Sequence, residues 1–107
     1  MPSRRGGAQN SVMTVTVHLR IAGRVQGVGY RYALRAQSLA HGLAGWVRNR
    51  RDGSVEAVLQ GERAAVNEVV AWTRSGPPGA RVDHVDAHAA SPELDRPYTG
   101  FDSLPTA

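Results

Sequence analysis

The segment Gly23-Arg24-Val25-Gln26-Gly27-Val28-Gly29-Tyr30-Arg31 places three glycines within seven residues and an arginine just after them. Glycine reaches backbone conformations closed to other residues, so such a stretch can turn several N–H groups toward one point. A helix opening at Tyr30 would add partial positive charge and unpaired N–H groups at the same place. Arg31, in its first turn, would reach into the same concavity. Together these features suit a phosphate group. The glycines alone are equally compatible with a turn that binds nothing. The familiar phosphate signatures do not fit: Gly27-x-Gly29 would need a third glycine where Tyr32 stands, and there is no lysine for a Walker loop. A second segment, Gly45-Trp46-Val47-Arg48-Asn49, is followed by Gly53, Val55 and Gly61. Asn49 taken alone reads as a turn-capping residue.

The elements that must hold these residues follow from periodicity. Met13 to Ala22 alternates, with Val15, Val17, Leu19 and Ile21 on one side and Thr16, His18 and Arg20 on the other, as a half-buried strand does. Gly23 to Gly29 breaks it. Tyr30 to His41 predicts a helix, with an apolar stripe through Ala33, Ala36, Ala40 and Leu43, Tyr30 and Leu34 beside it, and Gly42 as C-cap. Ala44 to Asn49 reads as a short strand. The turn Arg50-Arg51-Asp52-Gly53 follows, then a strand from Ser54 to Gln60. Glu62 to Ser75 predicts a second helix, with Val66, Val69, Val70 and Thr73 on one stripe, stopped by Gly76-Pro77-Pro78-Gly79. Arg81 to Ala89 is a strand whose register the pattern leaves open. Tyr98 to Leu104 is a weak last strand around Phe101, ended by Pro105. The order β-α-β-β-α-β, plus a short fifth strand, predicts an α+β ferredoxin-like sandwich: an antiparallel sheet with two helices on one face.

Composition bounds the chemistry. The chain has 107 residues, which suits one domain. It has no cysteine, which excludes disulfides, thiolate metal sites and a cysteine nucleophile. All 13 basic residues are arginine, so there is no Schiff-base amine. The net charge of +4 fits an anionic substrate, a nucleic acid or simple solubility. Residues 1–12 read as a disordered tail without the apolar core of a signal peptide. No apolar run approaches the length of a membrane span. Residues 13–104 are expected to form the domain, and a cytoplasmic monomer is expected, with no membrane and no nucleic-acid partner. His84 and His88 share a strand face but lie about 13 Å apart by strand rise, too far to share a metal. No metal and no cofactor are expected. Trp46 and Trp72 read as core residues.

Taken together the two segments are specific, and they resemble the acylphosphatase family. Its first signature, G-x-V-Q-G-V-x-[FY]-R, is matched throughout by Gly23 to Arg31. Its second is matched by Gly45, Trp46, Val47, Arg48, Asn49, Gly53, Val55 and Gly61 at every spacing. The likeness runs from the first strand to Phe101 and includes residues 76–82. It implies the same sandwich, and hydrolysis of acyl phosphates to carboxylate and phosphate without a metal. It implies that Arg31 binds phosphate, that Asn49 holds the attacking water, and that the amides of Gln26, Gly27, Val28, Gly29 and Tyr30 form a cradle. Two departures stand out: Tyr30 where phenylalanine is commoner, which should pack under the loop, and an irregular last strand, with Ser103 where an apolar residue would alternate.

The residues are consistent with that chemistry. None of the residues that match the two signatures is His, Asp or Glu. A carboxylate leaving group, whose acid has a pKa of about 4, needs no general acid. Phosphoryl transfer through a loose transition state asks mainly for positioning and charge. Asn49 can orient a water but cannot deprotonate it, so the proton is expected to pass to a phosphate oxygen. Arg24, Arg48, Arg50 and Arg51 either form a positive funnel or are ordinary loop arginines. Three other readings carry less weight. An RNA-binding module would want aromatics on the central strand Ser54 to Gln60, which has none. A carbamoyl-phosphate-handling domain of a larger maturation enzyme would precede zinc modules, and the chain is expected to stand alone. A catalytically silent relative would be expected to lack Arg31 or Asn49.

Overall fold

A computed structural model describes residues 13–107, so the expectation of a disordered tail over residues 1–12 lies outside the described residues. Seven elements follow one another: β1 (Thr14–Arg24), α1 (Tyr30–Ala40), β2 (Ala44–Asn49), β3 (Val55–Glu62), α2 (Arg63–Thr73), β4 (Arg81–Ala89) and β5 (Phe101–Ser103). The strands form one sheet in the order β4-β1-β3-β2-β5. β1 and β2 run the same way with β3 between them, and α1 makes the crossover. This is the expected ferredoxin-like sandwich.

The sheet is antiparallel at β4–β1, β1–β3 and β3–β2, but β5 lies parallel to β2, so the sheet is mixed rather than wholly antiparallel. The reason is topological. β4 ends at one edge, and the chain must cross the sheet to reach the other edge beside β2. It crosses the face away from the helices, where the Gln60 amide donates to the Arg96 carbonyl (2.7 Å) and its carbonyl accepts from the Tyr98 N–H (2.9 Å). Val58 and Trp46 point to that face and are nonetheless buried. Pro105 does not end the association: Leu104 N–H donates to Val47 O (2.9 Å) and Ala107 N–H to Asn49 O (3.1 Å).

The core lies between sheet and helices. Leu19, Ile21, Val47, Val55, Ala57 and Leu59 form one apolar cluster with Tyr30 and Leu34 of α1 and Val66 and Val69 of α2. The open register of β4 is settled by its pairing: Val85 opposes Ile21 and Ala87 opposes Leu19, so these residues share the helix-covered side. β1 passes its expected end at Ala22 and continues to Arg24 through a bulge between Ala22 and Gly23. The stripe of α1 differs from expectation. Its buried residues are Tyr30, Leu34 and Ser38, while Ala36 and Ala40 are exposed. Burial follows apolar area, and one ring and one leucine outweigh several alanine methyls. The Ser38 hydroxyl is satisfied within the helix by the Leu34 carbonyl (2.8 Å). Gly42 ends α1 as expected, with Gly42 N–H bonded to Leu39 O and Leu43 N–H to Ser38 O.

Candidate active site

β1 delivers the chain to one end of the sheet, and residues 25–29 turn it back into α1. Gly27 and Gly29 have φ of 76° and 79°, the left-handed region that side-chain-bearing residues seldom adopt. They curl the loop so that Val25 drops into the core and Gly29 caps α1. Among the described residues, no backbone carbonyl accepts from the N–H groups of Gln26, Gly27, Val28, Gly29 or Tyr30. Five consecutive amide donors at the positive end of a helix are therefore uncommitted.

The loop encloses a cleft of about 160 Å³, lined by Val25, Gln26, Gly27, Gly29, Tyr30, Arg31, Tyr32 and Asn49. The cleft brings Arg31 and Asn49 together from two elements, α1 and the end of β2. Val28 is the exception among the expected residues: it does not line the cleft, and its half-buried side chain packs on the core. Arg31 pairs with no carboxylate among the described residues. The Asn49 Oδ1 atom is shielded from bulk solvent and accepts no hydrogen bond from the protein. A half-turn of the amide exchanges acceptor and donor, so either end can be offered to the cleft.

Three sets of contacts fix the geometry. The Gln26 amide donates to the carbonyls of Arg50 (2.7 Å) and Ser54 (2.9 Å), tying the loop to the β2–β3 turn that follows Asn49. The turn is closed by Arg50 N–H on Ser54 O and by Asp52 Oδ1, which accepts from the Ser54 N–H and hydroxyl. Those hydrogen bonds hold the Asp52 carboxyl below the usual carboxylate range. Under the loop Tyr30 is 1% exposed, its hydroxyl donating to Thr73 O (2.7 Å) and its ring tilted on Trp72. Burial pushes the Tyr30 hydroxyl far up from its ordinary pKa, so it stays protonated. Tyr30 thus packs as expected, and it serves as the pin between α1 and α2.

The four arginines left open between a funnel and ordinary loop residues divide. Arg48 and Arg50 turn to the opposite sheet face, where both bind Glu56 Oε1 (2.9 and 3.2 Å) while His18 meets Oε2 (2.6 Å). Arg48 also lies over the Trp46 ring. They are part of a half-buried network around Glu56 and do not line the cleft. Arg24 and Arg51 are exposed. Among the four histidines, His88 stacks edge-on against His18 and His84 meets Asp86, pairings across and along strands that the spacing alone did not reveal. No group of three or more potential metal ligands occurs among the described residues. No helix among the described residues is long and apolar enough to cross a membrane.

The family model for acylphosphatase matches residues 17–103. An acylphosphatase of Thiobacillus denitrificans is 51% identical over 87 residues, covering 81% of this chain and 93% of that protein. The acylphosphatase structure from Bacillus subtilis superposes with a TM-score of 0.78 at 33% identity, over 86% of this chain and 99% of that one. That from Coxiella burnetii gives 0.81 at 29% identity, over 92% and 100%. With its sandwich, its cleft and near-complete coverage by such relatives, the chain belongs to the acylphosphatase family and is an acyl phosphate hydrolase.

Proposed function

We propose that the cleft binds the phosphoryl group of an acyl phosphate and directs a water at phosphorus. The observation that carries this is the convergence of Arg31, Asn49 and the uncommitted amides of the glycine loop on one small cleft. Arg31 grips two phosphoryl oxygens as a fork. The amides of residues 26–30 take the remaining charge, placed before the reaction begins. Asn49 holds the water in line. The water oxygen bonds to phosphorus, the bond from phosphorus to the acyl oxygen breaks, and the carboxylate leaves with the bonding pair. A proton of the water passes to a phosphoryl oxygen. No His, Asp or Glu lines the cleft among the described residues, so the substrate serves as the base. In this reading the enzyme is a cytoplasmic monomer acting on small acyl phosphates.

The test is hydrolysis of benzoyl phosphate in the presence of EDTA by wild type, Arg31→Ala and Asn49→Ala. Turnover by wild type with about a thousandfold loss in each variant supports the assignment; losing one preorganised donor costs on that order. A folded wild type that leaves benzoyl phosphate intact, or a variant with near-normal kcat, overturns it. The kcat profile is expected to carry no ionisation belonging to an enzyme base near neutrality.

A further inference from the structure

Beside the cleft opens a larger groove of about 430 Å³, lined by Arg31, Tyr32, Arg35, Phe101, Asp102 and Ser103. It adjoins the cleft, and Arg31 and Tyr32 line both. A phosphoryl group held in the cleft would therefore send its acyl portion along this groove. Arg31 and Arg35 are four residues apart on α1 and project from the same helix face. The Arg35 Nε–H donates to the Phe101 carbonyl (2.8 Å), which anchors the guanidinium at its inner edge. Its two terminal amino groups meet no carboxylate among the described residues. Tyr32 offers an aromatic wall and is 80% exposed. Asp102 lies in the same groove and opposes an anion there. With Arg31 committed to the phosphoryl group, the charge of the groove is set by Arg35 and Asp102, one against one, and the attraction for a second anion rests on the free end of the Arg35 fork.

Resting on the cleft as the phosphoryl site, we propose that the groove is the acyl subsite and that Arg35 selects acyl groups carrying a second anion. Such substrates are the monophosphates of dicarboxylic acids and acyl phosphates bearing a distal phosphate. A fork anchored through Nε has lost much of its rotational freedom beforehand, so little is left to lose when a distal carboxylate docks.

The test compares benzoyl phosphate with its 3- and 4-carboxy derivatives, using the full chain. The quantity read is the ratio of kcat/KM for carboxylated over plain substrate. Substituent effects on intrinsic reactivity are the same for every enzyme form and cancel between variants, as does any general loss of structure. From wild type to Arg35→Gln the ratio is expected to fall about fivefold for at least one derivative, the size of a partly exposed ion pair. Arg35→Lys should keep part of it, and Asp102→Asn should raise it, mainly through KM. Ratios that are unchanged in both Arg35→Gln and Asp102→Asn overturn the proposal. A wild type that hydrolyses none of the three substrates instead overturns the phosphoryl reading beneath it.

Discussion

Gln26 sits in the middle of the glycine loop, where a polar side chain would be expected to face the ligand. Instead its amide donates to two carbonyls of the β2–β3 turn, Arg50 O and Ser54 O. The side chain is a strut between the segment that carries the amides and the strand that ends in Asn49. Gln26→Ala should therefore leave both Arg31 and Asn49 in place chemically while loosening their relation. We expect kcat/KM to fall about tenfold, with a small loss of thermal stability, since misplacement of even 1 Å is costly to catalysis. Gln26→Glu should do more harm, because a carboxylate would face two carbonyl oxygens. Kinetics and melting curves on both variants check this, and equal activity in all three proteins would remove the strut role. The spacing of Gly27 and Gly29 was enough to read a concave loop from sequence. The direction of the Gln26 side chain was not, because its partners lie more than twenty residues on and depend on how the hairpin folds back. The Val28 side chain turns to the core for a similar reason, since a β-branched apolar side chain follows the core wherever the backbone permits, while its amide stays uncommitted. Tyr30 makes a second residue-scale case. Tyr30→Phe keeps the ring on Trp72 but removes the donor to the Thr73 carbonyl, a buried bond. Unfolding in urea should show a loss of about 1 kcal/mol.

At the scale of the element, β3 shows where alternation misleads. Reading Ser54 to Gln60 by period two sends Glu56 and Val58 to an outer face. They do point away from the helices, but that face is not open water. The 90–100 segment crosses it at Gln60 on its way to β5, and farther along the strand Glu56 is buried beneath His18, Arg48 and Arg50. Neither a crossing loop nor long side chains from neighbouring strands leave a mark on the strand they cover, so neither this burial nor the parallel pairing of β5 was legible. Burial pushes the Glu56 carboxyl upward, but hydrogen bonds from His18 and Arg48 and their charges outweigh it, and the group ends below its ordinary value. A depressed carboxylate stabilises the fold fully above the unfolded pKa of about 4.3, and this stabilisation is lost as pH falls through the native value. Glu56→Gln should thus be destabilised at pH 7, by about 1.5 kcal/mol, since the arginines it leaves without a counter-charge keep part of their contact with water. The gap between wild type and Glu56→Gln should narrow as pH drops below 4. Urea titrations at pH 7, 5 and 3 check it; a gap that is constant with pH would mean that the Glu56 charge contributes nothing.

At the scale of the whole molecule, the site is assembled from parts that the topology brings to one end of the sheet: the β1–α1 loop, the first turn of α1 and the end of β2. The split crossover is what makes this possible, because β1 and β2 run parallel with β3 between them, so the end of β1 and the end of β2 face the same way. That much was readable from element order alone. A site made by docking several elements exists only in the folded chain, so an anion that fills it must stabilise the fold. Inorganic phosphate, the reaction's product, is the direct probe. At a hundred times its Kd it should add about 2.7 kcal/mol, which for a domain of this size raises Tm by about 10 °C. The two cleft side chains should then separate. Arg31 is assigned to the phosphoryl oxygens, so Arg31→Ala should show almost none of this shift. Asn49 is assigned to the water and not to the anion, so Asn49→Ala should keep most of the shift while having lost its turnover. Phosphate also acts on protein surfaces in general, but that contribution is common to all three proteins and sets the baseline that Arg31→Ala reports. If Asn49→Ala loses the shift as fully as Arg31→Ala does, the asparagine binds the phosphoryl group itself, and the water must be held elsewhere in the cleft.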